Sequence, residues 1–175
     1  KKLLDGGIEK ENFLPFAKTS FLIMSVTRES IVEMKKRFKA EERKKQILNS
    51  AIKVFARSNY MRAGIAEIAA DVGVSEAAIY RYFPSKKAIF LEILRQISDD
   101  INMFWQMEFN SEDDALKLLR AMGEKYYRYM LTHSNESRVH FQAISEMNDG
   151  DIAERLRKNY ESYRKIFVKI VKKGI

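Results

Sequence analysis

Within the run Val72-Gly-Val-Ser-Glu-Ala-Ala-Ile-Tyr-Arg-Tyr-Phe-Pro-Ser-Lys-Lys87, the phenols of Tyr80 and Tyr82 flank the guanidinium of Arg81, and the ammonium of Lys86 follows. All four are hydrogen-bond donors and two are cations, so the chemistry they offer is recognition of acceptors and anions. Bond-making has no visible carrier: there is no Ser/His/Asp arrangement and no phosphate-cradling glycine loop. His133 and His140 are the only histidines, and with Glu136 four residues before His140 they make at most a partial ligand set. A packed or hydrogen-bonded imidazole is the expectation there. Asp149-Gly150-Asp151 lacks the later ligands of a calcium loop and reads as a helix-capping turn. With no cysteine, disulfides and thiolate metal sites are excluded. No catalytic residue, metal or cofactor is expected, and the chain does not read as an enzyme.

The charge shows where anions would be met. Of the formal +8, residues 34–95 hold 14 Lys/Arg against 6 Asp/Glu, whereas residues 1–33 hold 5 of each and residues 96–175 hold 13 of each. Such segregation suits one module facing a polyanion beside an electrically neutral remainder. The longest apolar run, Phe21 to Val26, is far below the ~20 residues of a membrane span. Lys1-Lys2-Leu-Leu runs into Asp5 instead of a signal-peptide core. A soluble, cytoplasmic protein without membrane contact is expected.

The elements that would position these donors are helical throughout, so the fold class is all-α. From Glu41, the spacing of Ile47, Ala51, Val54, Phe55 and Ser58 predicts an amphipathic helix, with Asn59 as the left-handed residue after it. A short helix over Ile65–Val72 ends at Gly73. Ser75 can cap a third, from Glu76 to about Phe83, which Pro84 terminates. Ser85 can cap a fourth, to about Phe109. Further helices are expected from Ser111 to about His133, Ser137 to Met147 and Ile152 to Lys173.

Two short helices joined by the tight turn Val72-Gly73-Val74-Ser75, behind a longer bracing helix, make a helix-turn-helix pattern whose second helix enters the DNA major groove. Ile68, Ala69, Val72, Val74, Ile79 and Phe83 would form its core with Val54 and Phe55. Helical geometry leaves Glu76, Ala77, Tyr80 and Arg81 on the open side.

The run Ile68-Ala69-x-x-Val72-Gly73-Val74-Ser75-x-x-x-Ile79-Tyr80-x-Tyr82-Phe83-x-Ser85-Lys86 resembles the DNA-binding domain of the TetR family of transcriptional regulators, over roughly residues 41–95. The resemblance implies a helix-turn-helix domain of three helices, a helical C-terminal domain with a small-molecule pocket, and a homodimer on a pseudo-palindromic double-stranded DNA operator. It implies phosphate contacts from Tyr80, Tyr82 and Lys86, and base-facing positions at Glu76, Ala77 and Arg81, with Ser75 and Lys44 completing the surface. An arginine pairs bidentately with guanine, worth about 1–3 kcal/mol against the wrong base. Where the family often carries two threonines at the second helix, this chain has Gly64-Ile65, so one phosphate contact is missing. Lys35, Lys36, Arg37, Lys39, Lys44 and Lys45 form a basic arm and first turn that compensate.

The resemblance divides the chain into a helix-turn-helix domain at 34–84 and a ligand-binding and dimerisation domain at 85–175, and implies a repressor released by a small, largely apolar effector. Aromatics crowd the neutral part of the chain. Most are core, and Phe104, Met107, Tyr126, Tyr129, Met130, Phe141 and Tyr163 are the candidates to line a pocket. Residues 1–33 precede the point where the family usually begins; they read either as an added helix or as sequence that packs with the C-terminal helices. The competing function is a helical interaction or lipid-binding module with a basic membrane-facing surface, which would need its cations on one amphipathic helix.

Overall fold

The structure, a computed structural model, describes residues 27–109 and 114–174. Among them are seven helices and no strand: α1 (Arg28–Ser58), α2 (Ile65–Val72), α3 (Glu76–Tyr80), α4 (Lys86–Phe109), α5 (Ala115–Thr132), α6 (Ser134–Ser145) and α7 (Gly150–Lys173). The chain divides into two compact units, Lys1–Arg43 and Lys44–Ile175. The proposed association of residues 1–33 with the C-terminal helices rests mainly on residues 1–26, which lie outside the described residues.

In the first unit, α1 starts at Arg28 instead of Glu41. Thr27 caps it, its Oγ1 accepting from Ser30 N at 3.1 Å. Arg28 to Lys39 are exposed, including Val32, Met34 and Phe38. Apolar periodicity therefore could not reveal this stretch of helix, because none of its side chains is buried.

In the second unit one core runs through all the helices. Ile47, Ala51, Val54 and Phe55 of α1 are buried with Ile68, Ala69, Ile79 and Phe83, while Val72 and Val74 pack at its edge. Asn59 ends α1 with φ 70°, and Gly73 turns the chain between α2 and α3 with φ 72°. Ser75 Oγ accepts from Ala78 N at 3.2 Å and Ser85 Oγ from Ala88 N at 3.0 Å, so both are N-caps as expected. α3 is shorter than its sequence pattern: it ends at Tyr80, and Arg81 and Tyr82 lie in the turn that leads into Pro84. α6 is displaced toward the N-terminus of its expected span, and the Ser111 cap falls outside the described residues.

α4 is the spine of the unit. Ile89, Ile93, Ile97, Ile101 and Trp105 recur every four residues, all buried. Near its start Phe90 stacks on Tyr60 at 4.1 Å and meets Phe55 edge-on at 5.7 Å. Further along α4, Asn159 of α7 donates to Leu94 O at 3.1 Å and Asn102 donates to Ser162 Oγ at 2.9 Å. Polar ties in an apolar seam fix the register of the two helices.

Candidate DNA-binding face and ligand cavity

α2 and α3 are short, and their placement depends on the segments around them. Glu67 reaches back to Gly64 N at 3.4 Å and forward to Arg57 Nη2 at 3.1 Å, tying the start of α2 to the end of α1. With Ile79 fully buried beneath it, α3 turns Ser75, Glu76, Ala77 and Tyr80 outward, and Arg81 is exposed in the next turn. Tyr80 is 47% exposed. Among the described residues neither its hydroxyl nor the Arg81 guanidinium has a hydrogen-bond partner, so both remain available to an incoming acceptor. Ser75 is already spent as a helix cap, which leaves only its hydroxyl proton to give.

Tyr82 and Lys86 are placed differently from these. Tyr82 is half-buried and packs against the core. Lys86 Nζ donates to the carbonyls of Tyr60 at 2.8 Å, Ala63 at 3.0 Å and Met61 at 3.1 Å, and stands 5.0 Å from the Tyr60 ring centre. All three ammonium protons are thus engaged by the loop between α1 and α2. Its charge still adds to the positive potential of the face, but its geometry is that of a brace. Nothing in the local sequence marks it so; the carbonyls belong to residues more than twenty positions away. Lys44 lies half-buried on α1.

Behind this face α4, α5, α6 and α7 line a cavity of about 470 Å3 that is partly open to solvent. Tyr126, Phe141 and Tyr163 line it as the sequence suggested, and Trp105, Leu119, Met122, His140, Tyr160 and Phe167 join them. Phe104, Met107, Tyr129 and Met130 are not in its wall. Met107 is exposed, two positions from Trp105 and so on another side of α4, and Tyr129 is buried with its ring stacked on His133 at 4.3 Å. Trp105 is the hub, edge-on to Tyr163 at 5.1 Å and to Phe167 at 5.3 Å, with its indole N–H donating to Met122 O at 3.3 Å. His140 is the packed imidazole expected from the sequence; its Nε2 lies 3.4 Å from Tyr160 Oη, and its Nδ1 is buried without a partner. Burial holds its pKa below the ordinary 6.5. Burial likewise pushes the Tyr163 phenol up to about 12, with Ser98 opposing the shift, and the Tyr163 hydroxyl has no hydrogen bond of normal geometry.

Two ties connect the helices around the cavity to the DNA-binding segment. Gln142 of α6 donates to Phe55 O at 3.0 Å and accepts from Tyr60 N at 3.2 Å, clamping the end of α1. Lys87 at the start of α4 pairs with Asp149, the N-cap of α7, at 3.2 Å, and with Asp151. Burial pushes Asp149 up, but hydrogen bonds from Lys87, Ile152 N and Asp151 N outweigh it and hold the carboxyl below its usual range.

Residues 47–93 match the model of the bacterial regulatory proteins, tetR family, across α2, α3 and the helices that brace them. The segment 47–93 belongs to this family. It is 30% identical over 106 residues to the HTH-type transcriptional activator FasR of Mycolicibacterium smegmatis, covering 61% of this chain and 48% of that one. The chain thus spans about half or less of the length of the curated relatives it matches. Its fold is that of the fatty acid degradation regulator FadR from Bacillus halodurans, with a TM-score of 0.69 at 16% identity, over 75% of this chain and 68% of that one. FadR from Bacillus subtilis, solved in complex with stearoyl-CoA, superposes with a TM-score of 0.63 at 20% identity, over 74% of this chain and 69% of that one. The architecture is all-α with a helix-turn-helix, as expected, and among the described residues no helix is long and apolar enough to cross a membrane.

Proposed function

We propose that this TetR-family chain is a ligand-responsive repressor that binds a pseudo-palindromic operator as a homodimer and is released when a small molecule enters the cavity behind α6. The observation that carries the reading is the division of labour on the outward face. Tyr80 and Arg81 are exposed with unengaged donors, while Ile79 and Phe83 beside them are buried, so the face is rigid and its polar groups are unspent. Tyr80 holds a phosphate and Arg81 reads a base; Glu76 and Ala77 lie at the groove with them. Tyr82 and Lys86 support the face by packing and by bracing the α1–α2 loop. Gln142 and the Lys87–Asp149 pair link the cavity helices to that face, and they supply the differential contacts through which ligand occupancy would alter DNA affinity. The stearoyl chain of the stearoyl-CoA bound in the Bacillus subtilis FadR complex is consistent with an effector that has a large apolar part.

Tyr80→Phe tests the phosphate role, since it removes one hydroxyl from the exposed face. Fluorescence anisotropy on several unrelated duplexes should show affinity falling ~10-fold on all of them, matching the ~1.5 kcal/mol of a hydrogen bond to a charged group. Loss on one sequence alone would assign Tyr80 to base reading instead.

A further inference from the structure

On the reading of the α3 face as DNA-binding, the phosphate contacts near the start of α2 lack a carrier. The family resemblance gives one to Lys86, whose protons are all engaged by carbonyls, and Gly64-Ile65 stands where threonines would make another. The ammonium of Lys86 nevertheless marks the place. It bonds Met61 O and Ala63 O, the carbonyls on either side of Arg62. A side chain at position 62 therefore starts within an arginine's reach of the point to which the resemblance assigns a phosphate.

Arg62 is exposed, and among the described residues its guanidinium has no hydrogen bond or ion pair. The backbone that carries it is held on all sides. Tyr60 N donates to Gln142 Oε1 at 3.2 Å, Met61 N to Asn59 Oδ1 at 3.1 Å and Ala63 N to Asn59 O at 2.9 Å, while Lys86 holds the carbonyls of Tyr60, Met61 and Ala63. Ala63 is 2% exposed, so the loop is anchored in the core directly beside Arg62. A cation on a backbone already fixed loses less conformational freedom on binding than one on a free loop.

The surroundings are open to an anion. Gly64, the N-cap of α2, has no side chain, and a Cβ there would meet nothing nearer than 3.9 Å. The acid close by, Glu67, is already paired with Arg57 at 3.1 Å and with Gly64 N, so it does not neutralise Arg62. In a helix-turn-helix the first of the two helices crosses the DNA backbone, and Arg62 precedes that helix. A guanidinium can give two parallel N–H groups to two phosphate oxygens.

We infer that Arg62 is a phosphate-binding residue of the DNA interface, making the contact from which Lys86 is withheld by the loop carbonyls and which Gly64-Ile65 cannot supply. The two cations divide the work: Lys86 fixes the loop from within, and Arg62 meets the DNA from outside it.

The test is fluorescence anisotropy of several unrelated labelled duplexes, titrated with the full chain at potassium chloride concentrations from about 50 to 200 mM. Arg62→Gln keeps a polar side chain and removes the charge. For each chain bound, the slope of log affinity against log salt should shrink by about 0.9, the counterions of one phosphate, and affinity should fall ~10-fold on every duplex. Arg62→Lys should keep the native slope, because it keeps the charge. The urea midpoint of Arg62→Gln should equal the native one, since the side chain holds nothing within the chain. A native salt slope in Arg62→Gln would overturn the inference, as would a loss confined to one duplex, which is the mark of base reading. A lowered urea midpoint with an unchanged slope would also overturn it, by making Arg62 a structural residue. A native chain that binds none of the duplexes sinks the DNA-binding reading itself, whereas native binding with an indifferent Arg62→Gln sinks the role of Arg62 alone.

Discussion

Lys86 gives its three protons to Tyr60, Met61 and Ala63, and the loop that positions α2 depends on that one ammonium. Lys86→Ala is therefore expected to lower stability to urea by about 1–3 kcal/mol, the cost of stranding partly buried carbonyls, as well as weakening DNA binding. Lys86→Arg should not restore it, because a planar fork cannot point three donors at carbonyls clustered around a point charge. An unchanged urea midpoint in Lys86→Ala would return the residue to a purely phosphate-binding role. His140 makes a second prediction at this scale. Its folded pKa is depressed, so the stability it contributes is full above the unfolded value of 6.5 and is lost as pH falls below that toward the folded value. Thermal melts should thus show the native chain losing stability as pH falls below about 6.5, and His140→Phe should flatten that dependence. A variant whose melting temperature follows the same pH profile as the native chain would remove His140 as the cause.

Among the elements, α4 and α6 carry the connection between cavity and DNA-binding face. α4 was legible as one long helix from Ser85 to about Phe109, because Ser85 caps it and its apolar residues recur over its length. The role of α6 was hidden: Gln142 is an ordinary polar residue in sequence, and its partners Phe55 and Tyr60 lie more than eighty positions away. The same limit applies to the cavity. Tyr126, Phe141 and Tyr163 were readable as aromatics of the right region, but Phe104 and Trp105 are adjacent, and sequence does not say which of them a cavity will take. Boundaries with local chemical signals, Asn59, Gly73, Ser75 and Ser85, were readable; the start of α1, where no side chain is buried, was not. Gln142→Ala tests the clamp. It should lower stability by about 1 kcal/mol and narrow the difference in DNA affinity between the ligand-bound and free protein. An unaltered ratio of the two affinities would show that coupling runs through α4 and the Lys87–Asp149 tie alone.

Over the whole molecule, the segregation of charge agrees with the placement of function. Residues 34–95 hold the excess positive charge and include the family match at 47–93, and the neutral remainder contributes most of the cavity wall. One short recognition helix with Glu76 and Ala77 in its first turn offers few contacts, and the proposed homodimer would add a second copy on a half-site about one helical turn away. Selection from a random duplex pool measures this most directly. The native chain should enrich a two-fold-symmetric sequence, and Arg81→Ala should bind the same pool with relaxed preference at one symmetry-related pair of positions, losing about 1–3 kcal/mol of discrimination there. Failure of the native chain to enrich any sequence, or an Arg81→Ala profile indistinguishable from the native one, would contradict the assignment of this face.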